Sequence, residues 1–227
     1  MEWADAWGGV DEAWRRAFGL AWEAFVEGSI AVGVVIVGPD GEVVADGRNR
    51  AGGVAAVPGQ LVGASVAHAE VNALGRVPRG LSGTTLLSTL EPCIMCTAVA
   101  RFAHVDHLRY AAADPVWEGV ERMGELNELF GRRVPSREEV DLGPLSRWAG
   151  AVALLSVVRW IVSQNGRSVA EELADGHVAT TIRASQPDVA TLTEVLVTDG
   201  LTPATDLSLE QALARWWPAV EAAGRPR

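Results

Sequence analysis

His68-Ala69-Glu70 and Pro92-Cys93-Ile94-Met95-Cys96 are the residues of this chain whose types and spacing suit metal chemistry. Cys93 and Cys96, at i and i+3 in the first turn of a helix, project to one side. A helix N-terminus and a bound metal both favour the thiolate form. His68, opening a different helix, offers a neutral ring nitrogen. Together they supply three protein ligands to Zn²⁺ with the fourth tetrahedral position left open, the pattern of a catalytic site. Zinc held this way activates water near neutral pH. Glu70 lies two residues from His68, close enough to move protons without completing the coordination. The chemistry expected is hydrolysis by a zinc-activated water.

The same residues have plainer uses. A lone C-x-x-C also serves as a redox pair or as half of a structural zinc site. A redox pair has no need of His68 and Glu70, and no second C-x-x-C is present. A closed structural site with some other fourth ligand stays open at this level. His104, His107 and His177 read as ordinary surface or core residues.

The elements that must position these groups follow from pattern. Asp11 caps a helix reaching about residue 27, with Trp14, Phe18, Trp22 and Phe25 on one face. The continuous apolar run over 30–37 predicts a strand covered on both sides, and Gly38-Pro39-Asp40-Gly41 turns it into a hairpin partner over 42–46. Residues 50–65 lack a period and read as a loop near the site. A helix over 68–75, a strand over 84–89, a helix over 93–103 and a strand over 107–111 come next. Asp114-Pro115 breaks the chain before a helix over 116–130. This alternation predicts a mixed sheet with helices on both faces.

After residue 130 the pattern is that of a helical appendage. Ser136…Glu139, Ser168…Glu171 and Ser208…Gln211 have the spacing of capping boxes. Helices are expected near 136–140, 145–163, 168–175, 188–198 and 208–222. Trp148, Trp160, Trp216 and Trp217 are expected to bury against the first domain or a second subunit. The division is a domain over 1–130 and an extension over 131–227.

Composition narrows the function. The chain has 227 residues, 48% hydrophobic and 21% charged, a globular balance. All 19 basic residues are arginines, which excludes a Schiff-base lysine and a P-loop lysine. Residues 1–130 hold 9 Arg against 17 Asp and Glu, a net −8; the remainder holds 10 against 12, a net −2. A body that acidic suits a small neutral substrate better than a polyanion. Two cysteines make no secreted disulfide framework. Met1-Glu2-Trp3-Ala4-Asp5 is acidic, without a basic leader region. The most apolar stretch, 149–162, is interrupted by Arg159 and reads as a buried helix rather than a membrane span. A soluble, cytoplasmic protein is expected.

His68-Ala69-Glu70-Val71-Asn72-Ala73-Leu74 and Thr89-Leu90-Glu91-Pro92-Cys93-Ile94-Met95-Cys96 resemble the cytidine deaminase superfamily, in its nucleobase and tRNA adenosine deaminase branches. The likeness takes in Ile30-Ala31-Val32-Gly33-Val34-Val35-Ile36, Gly47-Arg48-Asn49-Arg50 and Tyr110-Ala111-Ala112-Ala113-Asp114. The resemblance implies a three-layer αβα sandwich, zinc on His68, Cys93 and Cys96, and Glu70 as proton shuttle. It matches Asn49 to an asparagine that hydrogen-bonds the base edge and Asp114 to an acid near the substrate. Turn and helix-cap roles are the plainer uses of those two. The backbone N–H groups of Ala69 and Cys93 are candidate donors to substrate. Trp117 is a candidate for stacking on a heterocycle, or for packing. Members of the superfamily are commonly homo-oligomers, which implies a homodimer.

The reading that follows is a zinc-dependent deaminase of a free nucleobase or related amino-heterocycle of guanine, cytosine or triazine type. It has a small-molecule partner, no nucleic acid and no membrane. A tRNA adenosine deaminase and a non-catalytic zinc module are the alternatives. Charge speaks against the first of these and Glu70 against the second.

Overall fold

The computed structural model describes residues 2–77 and 80–224. After a short helix α1 (Trp3–Gly8), α2 (Glu12–Val26) starts where Asp11 accepts a hydrogen bond from the Trp14 N–H at 2.9 Å. The sheet then builds from β1 (Gly33–Val37) and β2 (Val43–Arg48), an antiparallel hairpin. Helix α3 (Ala69–Leu74), β3 (Thr85–Ser88), α4 (Ile94–Ala103) and β4 (His107–Tyr110) follow. The strand order is β2-β1-β3-β4 with a fifth strand beyond β4; β1 and β3 are antiparallel, and β3 and β4 parallel. The mixed sheet is the expected one.

Alternation along β1 sorts the two faces. Val34 and Ile36 join Ala69, Ala73, Leu86, Ala100 and Leu108 in the core under α3 and α4. Val35 and Leu87 face the other way, into a larger core shared with α2. Gly33 lets α2 lie against the sheet, because a Cβ there would sit 2.1 Å from the Ala17 carbonyl oxygen.

The chain departs from expectation between 116 and 140. In place of one helix over 116–130 there are two 3₁₀ turns, Pro115–Trp117 and Val120–Glu125, and a single α turn, α5 (Glu128–Gly131). Gly119 between the turns has φ +94°, which ends the first and re-aims the second. Ser136–Glu139 is not a capped helix but strand β5, parallel to β4 with Leu108 opposite Arg137. Pairing to an open sheet edge and the contacts of Arg137 described below outweigh a local capping signal.

The C-terminal helices are α6 (Pro144–Asn165), α7 (Val169–Asp175), α8 (His177–Ser185), α9 (Pro187–Thr198) and α10 (Leu209–Ala223). The capping boxes at Ser168 and Ser208 form as predicted; α8 had no clear signal. These helices pack onto the α2 side of the sheet. Ring contacts run from Phe25 to Trp22 (5.4 Å), Trp148 (6.1 Å) and Trp216 (6.4 Å), so α2, α6 and α10 share one core. Trp148, Trp216 and Trp217 are buried, but Trp160 is 44% exposed. By length and composition α6 is apolar enough to cross a membrane, yet 61% of its most apolar stretch is buried inside the fold.

Candidate active site

His68 is the N-cap of α3 and Cys93 the N-cap of α4, so both metal-binding motifs begin where strands give way to helices. His68 Nδ1 lies 3.7 Å from Cys93 Sγ and 3.4 Å from Cys96 Sγ, and the three donor atoms lie within 4.8 Å of one another. A tetrahedral zinc with ordinary bond lengths of about 2.0–2.3 Å needs N···S separations of about 3.6 Å. The donor set therefore fits zinc in kind and in spacing.

The charges are those of a site built for a cation. The hydrogen bond from Cys96 and the neighbouring His68 bring the Cys93 thiol down to about 4, while the same bond and burial hold Cys96 well above its ordinary value. A divalent ion would hold both sulfurs as thiolates. The bond to Cys93 raises His68. Glu70, 4% exposed, is raised by burial and by the Cys93 thiolate beside it.

A cavity of about 330 Å³ opens beside these groups, lined by His68, Glu70 and Cys93 together with Asn49, Glu91, Asp114 and Trp117. Four of the expected residues, Asn49, Glu70, Asp114 and Trp117, thus meet at one space. Ala69 is fully buried at the start of α3 and does not line it. Asn49 also has its turn role: its Oδ1 accepts from the Ala51 N–H at 3.0 Å, so its Nδ2 is the atom left to offer donors to a ligand. Asp114 likewise caps the first 3₁₀ turn through the Val116 N–H at 3.1 Å. Burial raises its carboxyl to about 6. The loop expected over 50–65 is tied down: the Asn72 side chain bonds both Leu61 N–H (2.7 Å) and Leu61 C=O (3.1 Å).

Several residues at the site carried no recognised signal. Glu91, next to the Pro-Cys motif, accepts from the Asp114 N–H at 2.9 Å and from Arg137 at 2.7 Å. Arg137 of β5 also donates to Thr97 Oγ1 (2.6 Å) and to the Pro92 carbonyl (3.1 Å), clamping the loop that carries Cys93. Val157, Trp160 and Ile161 of α6 and Val178 of α8 complete the cavity wall. Glu91 was legible by adjacency; the others are brought in by tertiary packing alone.

Residues 10–112 match the cytidine and deoxycytidylate deaminase zinc-binding region. The matched stretch takes in His68, Glu70, Cys93 and Cys96. Over 129 residues the chain is 37% identical to a tRNA(Ile)-lysidine synthase of Deinococcus deserti, covering 56% of this chain and 23% of that protein. A second such synthase, of Deinococcus radiodurans, is 37% identical over 108 residues, 17% of its length, so the chain spans under a quarter of either. A tRNA-specific adenosine deaminase of Streptococcus pyogenes serotype M1 is 28% identical over 137 residues, 58% of this chain and 74% of that one. Among solved structures, one from studies of A-to-I editing by tRNA:A34 deaminases aligns at TM-score 0.47 and 28% identity over 56% of this chain and 96% of its own. A guanine deaminase from Nitrosomonas europaea aligns at TM-score 0.41 and 22% identity over 65% and 85%. The stretch similar to that zinc-binding region is thus the one that holds the three candidate zinc ligands.

Proposed function

We propose that the chain removes the exocyclic amine of a free nucleobase or similar amino-heterocycle. The observation that carries this reading is the composition of the cavity wall. The deaminase domain supplies its polar groups, α6 and α8 supply apolar ones, and no arginine lines it among the described residues. A phosphate-bearing ligand would meet carboxylates there and no arginine to bind it. The net charge of −10 points the same way.

His68, Cys93 and Cys96 would hold the zinc, which polarises water for attack. Glu70 would take one proton from the attacking water and pass it to the ring nitrogen next to the reacting carbon, as the water oxygen adds to that carbon. Glu70 would then take the second proton from the new hydroxyl and pass it to the amine, which leaves as ammonia as the C–N bond breaks and the carbonyl forms. Asn49 Nδ2 donates to an acceptor on the ring. Asp114, protonated below about pH 6, can donate as well as accept at the opposite edge. Trp117 offers a face for the ring. A second copy of the chain is a further expected partner.

The second reading, deamination of adenosine in a tRNA, is favoured by the similarity to tRNA-specific adenosine deaminases. Ammonia release decides between them, with zinc-loaded protein offered guanine, cytosine, 5-azacytosine, adenine, guanosine, cytidine and a tRNA anticodon stem-loop. Turnover of a free base and not of the stem-loop is expected. Turnover of the stem-loop alone overturns the proposal.

A further inference from the structure

Helix α6 carries apolar residues on more than one face, and the core accounts for only part of them. Leu145, Trp148, Val152, Leu155 and Val158 belong to the core shared with α2 and α10. Val157, Trp160 and Ile161, at i, i+3 and i+4, form a second stripe that belongs to neither hydrophobic core. They line the cavity instead, where Trp117 and Val178 join them. Trp160 and Trp117 are 44% and 39% exposed, unlike Trp14, Trp22, Trp148, Trp216 and Trp217, all below 8%. The two open indoles, with Val157 and Ile161, leave apolar surface around one space that folding itself does not cover; Val178 borders it while also packing on the larger core.

The cavity also has more room than a single ring needs. At about 330 Å³ it falls within the roughly 300–1,000 Å³ of pockets that enclose whole drug-sized ligands. The charged side chains lining it, His68 apart, are the carboxylates of Glu70, Glu91 and Asp114. An added ribose phosphate is therefore a poor match for the remaining volume, and a neutral apolar group a good one.

We propose that Trp117, Val157, Trp160, Ile161 and Val178 form a second subsite that takes a hydrophobic substituent, about the size of an aromatic ring, carried by the heterocycle away from the reacting amine. This rests on the reading of the deaminase domain as acting on a small heterocycle. The preferred substrates are then substituted amino-heterocycles, not bare bases or nucleotides. Trp160 is the residue that sets the preference.

The test measures binding by calorimetry on zinc-loaded Glu70→Gln protein, and kcat/KM on the wild type. The probes are guanine, its 9- and 7-benzyl derivatives and guanosine monophosphate, then cytosine, its 1- and 5-benzyl derivatives and cytidine monophosphate. In at least one series the benzyl compound binds roughly tenfold more tightly than the parent base, the weight of one well-placed aromatic contact. The nucleotide binds more weakly than the parent. Trp160→Ala abolishes the benzyl preference and Trp160→Phe restores most of it. Trp160 is half-exposed, so neither variant threatens the fold. Equal or weaker binding of every benzyl compound, or a preference that survives Trp160→Ala, overturns the subsite. Absence of turnover on every base overturns the proposed function instead. In that case the Trp160-dependent binding preference still upholds or overturns the subsite by itself.

Discussion

Arg137 ties the last strand of the sheet to the zinc-binding loop, and its removal has a calculable cost. Its side chain is 9% exposed and that of its partner Glu91 15%, with 2.7 Å between them. Two further bonds go to Thr97 and Pro92. Truncating one member of a buried pair typically costs 3–5 kcal/mol, because the other charge stays behind unpaired. Glu91 keeps the Asp114 N–H as a second partner, so the expected loss for Arg137→Met is at the low end, about 3 kcal/mol. Neutralising the abandoned carboxylate relieves part of this. The double variant Arg137→Met/Glu91→Gln is therefore less damaged than the sum of its singles by about 1.5 kcal/mol or more. Urea unfolding of chelated protein reads these quantities without metal linkage entering. In the zinc-loaded protein the same variants release zinc faster, since the clamp on the Cys93 loop is gone. A loss below about 1 kcal/mol for Arg137→Met, with additive singles, would refute the assignment of Arg137 as the clamp.

Glu70→Gln lowers turnover by about 10²–10⁴-fold with zinc content unchanged, whereas Cys96→Ser loses both; equal turnover in Glu70→Gln and wild type contradicts the proton-shuttle role. For Asp114 the sign follows from burial: with its carboxyl raised from 3.8 to about 6, the neutral form is the one the fold prefers. The stability it contributes is complete below pH 3.8 and is lost as pH rises through 6. The rise from 3.8 to about 6 corresponds to about 3 kcal/mol, and partial exposure reduces this to about 1–2 kcal/mol. Asp114→Asn keeps the cap on Val116, so it melts like wild type near pH 4 and higher than wild type at pH 8; a pH-independent gap contradicts this account. Gly33→Ala drives a methyl group into the Ala17 carbonyl and destabilises by roughly 3 kcal/mol in chemical denaturation. A neutral result there would mean that α2 can retreat from β1.

The parts of this molecule legible in the sequence are those whose signal is local. The metal ligands were legible because i, i+3 thiols and a nearby histidine are a short-range pattern, and α2, α7 and α10 because their caps are written beside them. Ser136-Arg137-Glu138-Glu139 shows where such reading fails. Its capping-box spacing is real, but the Arg137 side chain finds Glu91, Thr97 and Pro92 across the sheet. Those contacts outweigh a cap worth about 1 kcal/mol. Trp160 fails for a related reason. A tryptophan in an apolar helix reads as core, and the sequence of α6 does not say which of its faces meets other helices and which meets a cavity. An amphipathic helix declares its solvent side; a helix with apolar residues on several faces does not declare which of them the core fills. When the core of the chain fills just one of those faces, the second must be explained by something the chain does not contain. At Val157, Trp160 and Ile161 that something is a ligand.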